Sequence, residues 1–226
     1  MSDTSTDLSK GAFVPPELSP QQAAYAQAIS AQLRPRLPLP QMGGYAISPD
    51  FGRLLLTHVA AHPPQRILEL GGGTSTLILG YALAQQGSGQ IISVDHDPQF
   101  AAQTRQRVQE HALSEYVQVQ VAPLTPVTLH GQAWQWYDAA LIPQTSPFDL
   151  IIIDGPPQYA NPQPLVRYPA LPLLWDSIQT GGYILLDDAN RPDEQQIVAR
   201  WLAEFALDLV AHHEALEKGA TLLRKR

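Results

Sequence analysis

The run RILELGGGTST, Arg66 to Thr76, places a short apolar segment directly before three glycines and a cluster of hydroxyl residues. A buried strand, a tight glycine turn and the start of a helix, in that order, is the arrangement by which open α/β sheets hold nucleotide-like cofactors. Glycine turns of this kind serve more than one cofactor, so the run points to the fold before it points to the ligand. Its unusual member is Glu69, a carboxylate inside an otherwise apolar strand.

Outward from this run, strand-like and helix-like patterns alternate. Apolar runs recur at 66–70, 91–94, 117–121, 148–153 and 182–186, with helical patterns at 75–86, 98–112, 165–178 and 192–206. Such alternation predicts parallel strands joined by crossovers. The segment 124–147, containing WQWYD at 134–138, breaks the rhythm and shows no helical pattern. Two strand-like runs, 207–215 and 220–226, are joined by LEKG and predict an antiparallel hairpin at the sheet edge. The expected fold is a Rossmann-like, doubly wound α/β sheet of seven strands, mostly parallel, with that C-terminal hairpin.

Before the sheet, Ser19-Pro20 reads as an N-cap and first-turn proline, and Ser48-Pro49 starts a second helix. The first helix, to Leu33, carries Tyr25, Ile29 and Leu33 on one face and could pack on its own chain or on a neighbour in a homo-oligomer. The second carries Phe51, Leu55 and Val59 and closes at His62-Pro63-Pro64. Between them lies a loop rich in Pro and Gly. The organisation expected is therefore a disordered tail at 1–17, N-terminal helices with a lid loop at 18–64, and a cofactor-binding domain at 65–226.

Composition narrows the function. With 14 Lys+Arg against 21 Asp+Glu, the net charge of −7 argues against a chain built to coat nucleic acid or an anionic membrane. The absence of cysteine excludes disulfides, zinc–thiolate sites and thiol catalysis. The first ten residues lack the basic-then-apolar order of a signal peptide, and no apolar run approaches the ~20 residues of a membrane span. A cytoplasmic protein is expected.

In an open α/β sheet the ligand sits beyond the carboxyl ends of the strands. Here those ends are acidic: Glu69 before Gly71-Gly72-Gly73, then Asp95-His96, Asp154, and Asp187-Asp188. The dinucleotide fingerprint wants a third small residue where this chain has Thr76. Glu69 would add negative charge beside a pyrophosphate, but it suits a cofactor carrying an ammonium and a sulfonium. The residues lean toward S-adenosylmethionine.

The chain resembles the class I S-adenosylmethionine-dependent methyltransferases. ILELGGGTST is similar to their first motif, with Ser75 where many members have another glycine. IISVDHDP is similar to the acidic end of their second strand, FDLIIIDGPP to their fourth-strand motif, and the terminal hairpin to their last two strands. The resemblance covers about residues 45–226, and it is nearest to the small catechol-type O-methyltransferase branch and an uncharacterised relative sharing runs like WYD, IDGPP, RYPALPLL and LLDDANRP. It implies a cofactor site at Glu69, Gly71, Gly73, Ser75, Asp95, His96 and Asp154. The glycine backbone would pass close to the methionine part, Glu69 would orient it, Asp95 would accept from both ribose hydroxyls, and His96 would flank the adenine. Asp97, before Pro98, reads instead as a helix N-cap.

Asp154 and Asp188 end adjacent strands in the expected order, so they are the candidate catalytic residues, as a base or as holders of a divalent cation. Catechol-type enzymes use a magnesium site with an acid after the fourth strand and an Asp-Asn pair after the fifth. This chain reads Asp187-Asp188-Ala189-Asn190, leaving Asp154, Asp188 and Asn190 as candidate ligands with the Asn displaced by one. Tyr45, Trp136, Tyr137 and Tyr168 could shape an acceptor pocket; Arg167 and Arg191 would suit an anionic acceptor, but surface solvation is the ordinary fate of either. The expected activity is methyl transfer to a small molecule at a hydroxyl oxygen. Aminopropyl transfer, as in spermidine synthases, would use the same fold with an acid-rich polyamine pocket. A non-catalytic nucleotide-binding scaffold is a third reading, against which Glu69, Asp95 and Asp154 count, and a nicotinamide dehydrogenase is the least favoured.

Overall fold

The computed structural model describes residues 17–143, 146–160 and 163–226. The expected tail at 1–17 lies, but for Glu17, outside them. The first parallel strands follow the apolar runs: β1 (Arg66–Leu70), β2 (Gln90–Asp95) and β3 (Val117–Val121), with helices α3 (Thr74–Gln86) and α4 (Pro98–Glu110) between them. Ahead of them stand α1 (Pro20–Leu33) and α2 (Pro49–Ala61). The Ser19 side chain accepts from the Gln22 amide and Asp97 from the Gln99 and Phe100 amides, so both caps form as their residue types dictate.

The remainder comprises β4 (Leu124–Leu129), β5 (Gln132–Tyr137), β6 (Phe148–Ile153), α5 (Ala170–Leu174), β7 (Ile178–Asp187), α6 (Pro192–Glu204), β8 (Leu207–His212) and β9 (Ala220–Lys225). Seven strands form one sheet in the order β3-β2-β1-β6-β7-β9-β8, with only β9 antiparallel to its neighbours. The C-terminal hairpin thus inserts its second strand inside the sheet, and only β8 lies at the edge. Chain order reverses between β1 and β6, and that switch point opens the crevice above their carboxyl ends.

Alternate strand residues feed two cores, which is why these strands read as continuous apolar runs. Ile67, Ile91, Leu150 and Ile152 meet α1, α2 and α3 on one face. Leu68, Leu70, Ile151 and Ile153 meet β5, α5 and α6 on the other. α1 packs against α2 and α3 of its own chain, burying Ile29 and Leu33.

Two segments depart from the sequence expectation. Residues 124–137 form a separate two-stranded hairpin closed by His130-Gly131, both at positive φ, as a tight two-residue turn requires. Its alternating Trp134 and Trp136 are buried on the sheet, so a hairpin takes the place of a crossover helix. The expected helix at 165–178 shrinks to five residues plus a short 3-10 turn. Pro169 biases Tyr168 away from helical backbone, so the helix can start only after it.

Candidate active site

The crevice at the switch point is built first by the glycine turn. Gly71 has φ +93, and a Cβ there would stand 3.0 Å from the Asp154 carbonyl carbon, so this glycine lets the β1 and β6 ends approach each other. A Cβ on Gly72 would strike the Ser93 hydroxyl at 2.3 Å. Gly73 differs: a Cβ there would meet nothing within 4 Å, so its bare face looks into open space. Of the two glycines named from sequence, Gly71 is held close by the protein's own backbone and borders the crevice, whereas Gly73 faces open space.

Glu69 lies beneath this turn, fully buried. Its Oε2 accepts from the hydroxyls of Thr76, at 2.5 Å, and Ser93, at 2.7 Å, and Thr76 Oγ1 also accepts from the Gly73 amide. The Ser75 hydroxyl, on the first turn of α3, also favours the charged form of the carboxylate. Burial raises the Glu69 pKa from 4.5 to about 7 against the pull of these three hydroxyls. Its Oε1 is buried without a partner. A buried carboxylate oxygen left open in this way fits a cationic group or a water supplied from outside.

Asp95 closes β2, its Oδ1 accepting from the Asp97 amide and standing 3.3 Å from His96 Nδ1. Across from them is the Tyr137 hydroxyl, buried and without a partner. Burial, then the charge of Asp95, pushes its pKa well above 10, so it remains a hydrogen-bond donor. Asp95, His96, Tyr137, Phe100, Tyr45 and Tyr159 ring a cavity of about 470 Å³ floored by Gly71 and Gly72. Tyr137 therefore serves this lobe rather than a separate acceptor pocket, while Trp136 and Tyr168 are wholly buried in the core. Phe100, just over half exposed, carried no sequence signal beyond its place after a helix-capping Asp.

The acidic ends of β6 and β7 form the other half. Arg167, expected at the surface, is only 3% exposed. Its Nη2 donates to Asp188 Oδ2 at 2.8 Å, to Asp154 Oδ1 at 3.2 Å and to the Asp154 carbonyl at 2.8 Å; Nη1 donates to the Asp187 carbonyl at 3.0 Å. Glu194 lies 3.7 Å from Nη1. Burial opposes this charge, but Asp154, Asp188 and Glu194 together raise the guanidinium pKa still further. Arg191, about half exposed, reaches Asp188 Oδ2 at 3.0 Å. Asp188 sits at φ +60, a left-handed conformation uncommon outside glycine, held where the surrounding contacts fix it.

Asp154 and Asp188 are brought together as expected, and Asp187 joins them: one carboxylate oxygen of each lies within 4.8 Å of the others. Asn190 does not join. Its amide nitrogen donates to the Glu214 carbonyl at 3.0 Å, towards the β8–β9 loop. Burial raises Asp154 from 3.8 to about 6, with Arg167 pulling it down and Asp188 pushing it up. Burial, then Asp154 and Asp188, push Asp187 well above the ordinary carboxylate value, and among the described residues neither of its buried oxygens has a hydrogen-bond partner.

A second cavity, of about 750 Å³, opens over this cluster, bounded by Asp154, Arg167, Asp188, Arg191, Glu194 and Lys218 among others. Gly71, Gly72, Asp154, Tyr45 and Tyr159 border both cavities. The two are lobes of one crevice, meeting at Asp154. Lys218, which drew no notice in the sequence, donates to the carbonyls of Gly44 at 2.8 Å and Ala46 at 3.0 Å, pinning the loop that carries Tyr45 over the crevice.

Comparison with known proteins places this crevice in context. The chain is similar over 217 residues, at 27% identity, to a catechol O-methyltransferase of Mycobacterium tuberculosis, covering 92% of this chain and 86% of that one. A catechol O-methyltransferase of Niastella koreensis is 26% identical, covering 68% and 67%. Among solved structures, a methyltransferase of Podospora anserina bound to S-adenosylhomocysteine superposes with a TM-score of 0.63 at 16% identity, covering 96% of this chain and 100% of that one. An O-methyltransferase of Bacillus cereus in complex with S-adenosylhomocysteine gives 0.61 at 19% identity, covering 93% and 92%. These likenesses establish a shared fold. The family model described as "Methyltransferase domain" matches residues 68–189, more than half of the chain, from the middle of β1 to just past the acidic end of β7. The chain belongs to this methyltransferase-domain family.

Proposed function

We propose that the protein transfers the methyl group of S-adenosylmethionine to a hydroxyl oxygen of a small molecule. The observation that carries this reading is the two-lobed crevice whose lobes meet at Asp154. The smaller lobe fits the cofactor. Beneath the glycine turn that borders it, Glu69 keeps a buried, unpartnered oxygen for the ammonium or a water, and Asp95, with His96 beside it, offers a carboxylate for ribose hydroxyls. The S-adenosylhomocysteine bound in two structures of the same fold supports the same ligand class. Bound there, S-adenosylmethionine would supply an electrophilic methyl carbon whose bonding pair leaves with a neutral thioether sulfur.

What the chain must add is alignment and removal of one proton. Asp154 borders both lobes, its side chain is one-fifth exposed, and its pKa is about 6. It can take the acceptor's hydroxyl proton while Arg167, bonded to Oδ1, holds the carboxylate in place. The larger lobe has the volume of a drug-sized ligand site, and the names of the two curated relatives support an oxygen acceptor. Arg167 at the centre of the acids counts against aminopropyl transfer, because a polyamine would meet a buried cation.

Calorimetry with S-adenosylmethionine, S-adenosylhomocysteine and NAD tests the cofactor, and a panel of hydroxylated aromatics tests turnover. Asp154→Asn should bind cofactor as the parent does and lose roughly 10²–10⁴-fold in turnover. Binding of NAD alone would sink the reading.

A further inference from the structure

We propose that Arg167 is the resident cation of the carboxylate cluster and that this protein works without a divalent metal; the inference rests on the methyl-transfer reading above. The candidate ligands Asp154 and Asp188 are the two side chains that the Arg167 guanidinium bridges, at 3.2 and 2.8 Å. A dication bound to those carboxylates would take oxygens at about 2.0–2.6 Å, and so would sit close against a guanidinium that cannot give up its proton. The neutral amide named for such a site, Asn190, is exposed and turns to the β8–β9 loop, its nitrogen donating to the Glu214 carbonyl. The donor set does not fit a divalent cation.

The charge balance agrees. Asp154, Asp188 and Glu194 face Arg167 and Arg191, so two fixed cations already stand among the three carboxylates, and Lys218 borders the same cavity. Arg167 also ties together the ends of β6 and β7, because its fork reaches the carbonyls of Asp154 and Asp187 as well as the two carboxylates. A fixed, planar donor set of this kind can orient two carboxylates as a metal would, without exchanging with solvent. With no chelating ion, the cluster offers a lone acceptor hydroxyl the same base as one of an adjacent pair.

Mn²⁺ titration of the full chain, followed by loss of the free-ion EPR signal, tests this directly. The wild type, with or without S-adenosylhomocysteine, should show no site with Kd below about 1 mM, and EDTA should leave its melting temperature and cofactor affinity unchanged. Arg167→Met should gain Mn²⁺ binding where it folds. If that variant does not fold, wild type and Asp188→Asn decide: one equivalent of Mn²⁺ bound by the wild type and lost in Asp188→Asn overturns the proposal. Failure of S-adenosylmethionine to bind would instead overturn the methyl-transfer reading and is measured separately.

Discussion

Arg167 Nη2 and Asp188 Oδ2 stand 2.8 Å apart with both side chains almost sealed from water, joining the chain before α5 to the end of β7. Each charge is held there chiefly by the other. Without Arg167, Asp188 keeps only the half-exposed Arg191, and Asp154 and Glu194 lose their buried cation as well. Breaking a buried pair outright costs about 3–5 kcal/mol, so Arg167→Met should lower stability by up to that order in urea unfolding. The double variant Arg167→Met/Asp188→Asn should recover part of the loss, since Asn tolerates the left-handed backbone at 188 and carries no charge. Equal instability of single and double variants would mean that Arg167 acts through packing and its carbonyl contacts, not through the pair.

Asp95→Asn should weaken S-adenosylmethionine binding by about 10–100-fold, the range expected for losing a charged hydrogen-bond acceptor. Its melting temperature without ligand should move little, because the amide oxygen can still accept from Asp97 as Asp95 Oδ1 does now. Calorimetry on the folded variant reads the affinity. An unchanged Kd would remove Asp95 from the cofactor lobe.

The contrast between these two residues shows what a sequence of this kind discloses. Asp95 was legible because strand alternation fixes where each strand ends, and ligands of open sheets gather there. Glu69 was legible because a carboxylate inside ILEL must find partners or remain unsatisfied. Arg167 was not. It lies in a proline-punctuated stretch that reads as a helix over 165–178, and its partners are 13 and 21 residues away, brought close only by β6 and β7 pairing. Asn190 and Asp187 exchanged expectations for a related reason: the left-handed turn at Asp188 redirects the chain, and spacing alone does not reveal it. The β4–β5 hairpin lies in the segment that breaks the helical rhythm, where Trp134 and Trp136 already alternate as a strand requires.

Glu69 makes the stability of the ligand-free protein depend on pH in an unusual sense. Its folded pKa is about 7, against 4.5 ordinarily. Between those values the unfolded chain has released a proton that the folded protein still holds. Stability from this group therefore falls as pH rises from 4.5 to 7 and levels off above, by roughly 3 kcal/mol at most. Glu69→Gln lacks that loss, so its stability relative to wild type should rise across the same window, while Asp154 and Asp187 cancel in the difference. The same variant should bind S-adenosylmethionine more weakly, having no carboxylate for the ammonium. Urea unfolding from pH 4.5 to 8 without cofactor measures the first effect; a pH-independent difference would show that Glu69 ionises in the fold without penalty.

The three glycines of the turn should separate folding from binding. Gly72→Ala drives a methyl group into the Ser93 hydroxyl, which Glu69 already uses, and Gly71→Ala meets backbone at 3.0 Å with φ +93. Both should lower the melting temperature, as overpacking and strained backbone each cost about 1–3 kcal/mol. Gly73→Ala has no protein atom within 4 Å of the added methyl, so the ligand-free protein should melt close to the wild-type temperature. If the methionine end of the cofactor lies along this turn, that methyl occupies space the ligand needs, and affinity should fall by tenfold or more, a loss of at least about 1.4 kcal/mol. Melting curves with and without S-adenosylmethionine report both effects in one experiment. A Gly73→Ala protein stabilised by cofactor as fully as the wild type would place the ligand away from the turn, and a destabilised one would show that the open space is used by the fold itself.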